Sequence, residues 1–248
     1  MTGFDEAQSH EMADEEDTDE LNPSEPIRRM RPVLVILQWT LIVYIIALFV
    51  TALWIGGYAA VSALQESNAL PDWLAEVAYS VFGIPEIYVD TVYYGVILIT
   101  MTVYLWFVMR AVSNLRAFSP RYIGASPLGS VVWHFVPVLN LVKPYQIMRM
   151  LWVHAHDPLA GEGKPPDAAV WWWWLWLGAA FTAWLFGLAR LSMYDAIAEG
   201  GDGMAEFYRA SFLTVMSHVI QAASALFLFP LIKGIADAQD GIAKAREF

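Results

Sequence analysis

The chain has no cysteine in 248 residues, which excludes a disulfide, a thiolate metal site and a cysteine nucleophile, and removes the redox clue to compartment. It is also poor in charge. Asp, Glu, Lys and Arg make up 16% of the residues, against about a quarter in a soluble domain. No Lys or Arg precedes Arg28, although that leading stretch holds ten carboxylates. The net charge of −11 therefore belongs to a tail, because from Arg28 onward fifteen acids face fourteen bases. A basic patch that would hold nucleic acid is missing. The acidic start and the long first apolar run also lack the pattern of a cleaved signal peptide, so no removed leader is expected.

What abounds is apolar side chain, 58% of the residues with twelve Trp, more than a water-facing surface could hide. The expectation is an all-α integral membrane protein. Residues 1–27 are acidic, carry Pro23 and Pro26 and show no apolar period, so they cannot offset the entropy of ordering and read as a disordered tail. Residues 28–240 read as a polytopic helical membrane domain, and 241–248 as a short tail. A spanning helix needs about 20 apolar residues, and four runs satisfy this, at about 33–55, 88–109, 170–190 and 212–232. Between the first two, Pro71 opens a stretch in which Trp73, Leu74, Val77, Ala78 and Val81 share a face and which Gly83 and Pro85 close. That pattern predicts a helix lying in the membrane interface.

Lys and Arg set the orientation. Arg28, Arg29 and Arg31 precede the first span, residues 65–90 have none, and Arg110, Arg116 and Arg121 follow the second. Lys143, Arg149 and Lys164 precede the third span, while Lys233, Lys244 and Arg246 follow the fourth. Residues 191–210 carry four acids against Arg209. The positive-inside rule then places both termini in the cytoplasm. The same rule governs the apolar run Val131 to Val142. Were it to cross, every later segment would invert, and a run of 12 is of the length expected for re-entrant or interfacial elements. We therefore expect an element over about 126–153, broken at Pro137 and Asn140, that enters and leaves on the cytoplasmic side, with its break enclosed by the four spans because lipid offers its backbone no partners.

Few groups could carry chemistry. Ser211, Thr214, His218 and Gln221 recur at helical spacing with Ser217 and Ser224 beside them, a polar face that should point into the bundle. Its bland reading is interhelical hydrogen bonding, and the sharper one is a functional site. His134 is a second histidine near membrane depth, and the two histidines could line one cavity. His154, His156 and Asp157 invite a metal reading, but on a helix residues two apart diverge and no third strong ligand sits nearby. No metal or other cofactor is expected. Trp171 to Trp174 and Trp176 point all round their helix and read as an interfacial belt. Ala179, Ala183 and Gly187 form a small-residue face for close helix contact within the bundle or between copies of the chain. Arg110, Ser113 and Asn114 form a polar face past the second span. Phosphate-loop, dinucleotide, zinc-protease and Gly-x-Ser-x-Gly signatures are absent.

The block RAVSNLRAFSPR (Arg110 to Arg121), the block WHFVPVLNLVKPYQIMRMLW (Trp133 to Trp152), the Asp157-Pro158 pair and the WWWWLWL run together resemble the bacterial membrane family called domain of unknown function 4328. The resemblance covers about Arg31 to Gln239. It implies a multi-pass protein of the bacterial inner membrane with no established activity, and it transfers no catalytic residue. By resemblance the emphasised positions are Asn114, Arg116, Pro137, Asn140, Pro144, Tyr145 and Trp152, while Met150 replaces a polar residue.

Three functions follow as expectations. The first is a non-enzymatic membrane protein whose re-entrant element is a structural or binding core, with Lys143 and Arg149 facing anionic lipid headgroups. The second is a subunit of a small oligomeric transporter or channel lined by His134 and the His218 face. The third is an intramembrane enzyme using His134 or His218 as base, for which no nucleophile or metal constellation is legible.

Overall fold

The computed structural model describes residues 27–119, 126–159 and 163–247; the acidic tail lies almost wholly outside them. Among the described residues there is no strand. The first helix, α1 (Arg31–Glu66), has no side-chain cap of its own. Its first amides are met from the far end of the sequence, where Asp240 accepts from the Met30 N–H at 2.6 Å and the Arg31 N–H at 3.1 Å. A carboxylate there also suits the positive end of the helix dipole. The next helix, α2 (Asp72–Phe82), is short and precedes the long α3 (Glu86–Phe118). Then come α4 (Pro127–Val132), the single turn α5 (Pro137–Asn140) and α6 (Lys143–His156). Two long helices, α7 (Asp167–Ala198) and α8 (Met204–Ala245), complete the chain.

Four of these segments are long and apolar enough to cross a membrane: α1, the stretch Asp72–Phe118, α7 and α8. Each helix outruns the apolar run that announced it, since backbone hydrogen bonding continues where side chains turn polar. In particular α8 runs through Ala245, so the tail predicted from 241 is the last turn of a helix, and Glu247 just beyond it holds Arg29 at 2.9 Å.

The bundle has two unlike ends. At one, Arg28, Asn114 and Gln239 are hydrogen-bonded together and Arg246 Nη1 donates to the Ala117 carbonyl. This basic end thus collects the start of α1 and the ends of α3 and α8. At the other, acidic end, Arg190 lies 3.4 Å from Glu86 and Tyr208 Oη donates to Glu66 at 3.0 Å.

The packed core fills the basic half. Met30 to Leu41 of α1, Tyr104 to Phe118 of α3, Ile147 to Leu151 of α6 and Ala225 to Ala236 of α8 meet there. Outside, large apolar side chains such as Trp39, Phe49, Leu53, Leu98, Phe181, Trp184 and Phe212 stand exposed. An apolar surface this broad is the mark of a face made for lipid.

Candidate functional site

At the basic end Asn114 of α3 ties α8 to the segment that leads into α1. Its Oδ1 accepts from the Arg28 N–H at 2.9 Å, and its Nδ2 donates to the Arg28 carbonyl and to Gln239 Oε1 at 2.8 and 3.0 Å. Gln239 Nε2 in turn donates to the Ala111 carbonyl at 3.1 Å. Both amides are buried and every capacity used is directed at backbone or at each other, so Asn114 is a clamp. Arg110 lies beside this region with its Nε buried and without a hydrogen bond among the described residues. Arg116 is half-buried near the end of α3.

Residues 126–156 lie against the bundle on one side. Ser126 Oγ accepts from the Gly129 N–H and Pro127 occupies the first turn, which starts α4. His134 faces inward while Leu128, Phe135 and Val138 face outward, Val138 being 77% exposed. The break itself corrects our expectation: Pro137 is exposed and Asn140 only half-buried, so the turn is not enclosed by four spans. Part of its polar backbone is satisfied locally instead. The amides of Trp133, His134 and Phe135 donate back to Gly129, Val131 and Val132, and those of Asn140, Leu141 and Val142 donate to Val136, Val138 and Leu139. Pro137 has no amide to satisfy. Beyond the break, Lys143 Nζ sits 4.7 Å over the Trp133 ring, Pro144 is buried, Tyr145 stacks on Trp173 and Arg149 is exposed. Trp152 packs against Gly234, where any Cβ would overlap its ring.

His154 and His156 diverge as helix geometry requires. His154 Nδ1 meets Ser119 Oγ at 3.1 Å, while His156 stacks on Trp152 at 4.1 Å between centroids. Among the described residues no three His, Asp or Glu side chains cluster as metal ligands.

Among the described residues, two cavities in the bundle stand out. One, of about 760 Å³, lies in the acidic half and is lined by Trp54, Tyr58, Phe82, Asp90, Arg190 and His218 among others. The second, of about 390 Å³, lies toward the basic half against Tyr104, His134, Asn140, Trp172, Trp173 and Trp176. Both touch Tyr93, Ile97 and Gln221. There Gln221 Oε1 accepts from Tyr44 Oη at 2.7 Å and from Tyr93 Oη at 3.3 Å, and its Nε2 donates to Ser217 Oγ at 3.0 Å. Ser217 Oγ passes the chain on to the Ala179 carbonyl at 3.1 Å. A polar layer thus separates the cavities, and the two histidines line different ones.

They also differ in what they lack. Each Nδ1 lies 2.7–2.8 Å from the carbonyl four residues back, Ser130 for His134 and Thr214 for His218. A carbonyl only accepts, so in the neutral ring Nδ1 carries the proton and Nε2 is the acceptor. His134 Nε2 has a partner in Tyr104 Oη at 3.4 Å. His218 Nε2 is buried with none among the described residues, although the side chain is only 6% exposed and borders the larger cavity.

The remaining sequence features divide. Trp171 and Trp174 face outward as a belt would, but Trp172 and Trp173 are buried and line the smaller cavity with Trp176. Ala179 contacts α8 within the chain, whereas Ala183 and Gly187 are exposed. On α2, Ala75 is buried and Phe82 packs on Gly57, while Trp73, Val77 and Val81 present an exposed apolar face. Sequence reasoning missed Tyr44, Tyr93, Arg190, Gln239 and Asp240. The one readable signal was a charge at the end of the third span, Arg190, opposite the acids at the start of the second.

The model of the family described as Domain of unknown function (DUF4328) matches residues 72–237. No curated protein and no solved structure matches the chain.

Proposed function

Since the chain belongs to that family of unknown function, we propose from the geometry that it is a non-enzymatic, multi-pass membrane protein that binds a small solute in the acidic-half cavity. One observation carries this: His218, whose Nε2 is a buried acceptor without a partner among the described residues, lines a space of about 760 Å³. Leaving such an atom unmet costs roughly 1–3 kcal/mol, a cost that a ligand donor would remove. A volume of several hundred Å³ is also that of a small-molecule site.

In this reading the basic end is cytoplasmic, with both termini there, because twelve of the fourteen Lys and Arg residues precede or follow spans at that end. The family resemblance favours the bacterial inner membrane. Residues 126–156 dip into the bilayer and return, which their outward Leu128, Phe135 and Val138 and partly self-satisfied backbone support. Exposed Arg149, with Lys143 nearby, meets anionic lipid headgroups. Double replacement by alanine should then reduce the anionic lipid retained in native mass spectrometry.

A second reading, a transporter or channel subunit, is favoured by the two cavities meeting at the Gln221 layer. Exposed Ala183 and Gly187 would then serve contacts between copies. Thermal stabilisation of the protein in nanodiscs by a panel of cationic, anionic and neutral small solutes tests the solute reading. Saturable stabilisation that His218→Phe weakens supports it, and no saturable solute in the panel overturns it. Solute flux in proteoliposomes would decide for the second reading.

A further inference from the structure

Resting on the solute-binding reading, and naming the class of solute, we infer that the acidic-half cavity takes a small organic ammonium ion. Three independent features converge on it.

The walls are aromatic. Trp54, Tyr58, Phe82, Tyr93, Phe186 and Phe207 all line the cavity. Ring faces attract cations, most strongly where water is excluded. A cation already uses this surface, since the Arg190 guanidinium lies 5.8 Å from the Phe186 centroid.

The charge is negative. Glu86 and Asp90 line the cavity, and Arg190 is the Arg or Lys residue that lines it with them. Arg190 is paired to Glu86 at 3.4 Å, and among the described residues Asp90 forms no ion pair. Its carboxylate, on a half-buried residue one helical turn from Tyr93 and Tyr94, also feels the Arg190 charge, but two acids against one Arg leave the cavity net negative. An anionic solute would have to compete with Glu86 for Arg190, whereas a cation meets Asp90 without breaking an ion pair.

Two lining residues carry a buried polar atom without a partner among the described residues, the Trp54 Nε1 donor and the His218 Nε2 acceptor, and the acceptor is the one that a cation with N–H groups can meet. His218 Nε2 presents a lone pair and the ring lies 4.9 Å from that of Tyr93. A solute carrying N–H donors satisfies it, and a carboxylate or phosphate does not. Primary ammonium groups have donors and charge together. Quaternary ones have the charge alone, which makes the two separable by experiment.

The ammonium could belong to a free amine or to a phosphatidylethanolamine headgroup. Isothermal titration of the full chain in phosphatidylglycerol nanodiscs, with empty nanodiscs subtracted, uses benzylamine, benzyltrimethylammonium, benzyl alcohol and benzoate as probes. Benzylamine, protonated at neutral pH, is expected to bind saturably and more tightly than benzyl alcohol or benzoate. Asp90→Asn should weaken both cations by about tenfold or more and leave benzyl alcohol unchanged. His218→Phe keeps a ring beside Tyr93, so it should weaken benzylamine but not benzyltrimethylammonium, which has no N–H to donate. Unchanged cation binding by both variants, each eluting as the parent does, overturns the inference. Benzoate or benzyl alcohol binding best would also overturn it while leaving the solute reading standing; no saturable binding by any probe removes both. If phosphatidylethanolamine in the nanodisc competes with benzylamine, the source is the lipid headgroup. If it does not, the source is a free amine.

Discussion

Tyr44 of α1 donates its phenolic hydrogen to Gln221 Oε1 of α8 at 2.7 Å, across the layer where the two cavities meet. The bond joins residues 177 positions apart, and Tyr93 adds a second donor to the same oxygen. Neither phenol has another acceptor among the described hydrogen bonds, so the amide oxygen is what keeps both satisfied.

Replacing Gln221 by Leu should cost roughly 1–3 kcal/mol for each hydroxyl left buried and unpaired, read as a lower melting temperature. Tyr44→Phe should cost less in the Gln221→Leu background than in the parent, because the bond it removes is already gone. Gln221→Ala should in addition join the cavities. A cysteine placed at Thr100, which lines the smaller one, should then react faster with an impermeant maleimide added from the acidic side. Equal rates with and without Gln221 would show that the layer is no barrier.

Gly234→Ala introduces a Cβ on top of Trp152 Cζ3. Overpacking of this kind costs about 1–3 kcal/mol, and the loss should appear where α6 packs on α8. Trp152→Leu in the same molecule should restore most of it. If Gly234→Ala melts as the parent does, Trp152 has room to move and does not anchor α6.

His154 supplies a pH dependence at the basic end. Ser119 Oγ donates to the Pro158 carbonyl at 3.1 Å, so its contact with His154 Nδ1 is one in which the ring N–H donates. Burial lowers the His154 pKa below its ordinary value of 6.5, with Asp157 opposing more weakly. A depressed histidine favours the fold while neutral: the contribution is complete above about 6.5 and declines as pH falls through that value toward the folded pKa. Stability should therefore fall on acidification from pH 7.5 to 5.5, with a smaller slope in His154→Asn. An unchanged slope would assign the dependence to other groups.

The absence of cysteine makes the orientation directly measurable. Cysteines introduced singly at Lys164 and at Ala205, both exposed, should label from opposite faces of a sealed vesicle, Lys164 from the cytoplasmic one. Labelling of Lys164 from the opposite face, with Ala205 then on the cytoplasmic one, would replace the re-entrant reading of residues 126–156 with a fifth crossing.

The membrane class, the four long apolar helices, the amphipathic character of α2 and the inward polar face of α8 were legible because each depends on residues close in sequence, through apolar length and helical period. Spacing along the chain set those directly. The Asn114 clamp was visible only as a polar residue past a span, since its partners Arg28 and Gln239 lie 86 and 125 residues away. Likewise the sequence marked His134 and His218 equally. Tertiary packing distinguished them by bringing Tyr104 to one Nε2 and leaving the other without a partner among the described residues. The exposed position of Pro137 was similarly a matter of packing, helped by nearby amides such as those of Phe135 and Asn140 that close turns of their own. Apolar length and period decide that a helix forms and which solvent it accepts; which polar atoms meet is decided only when distant helices come into contact.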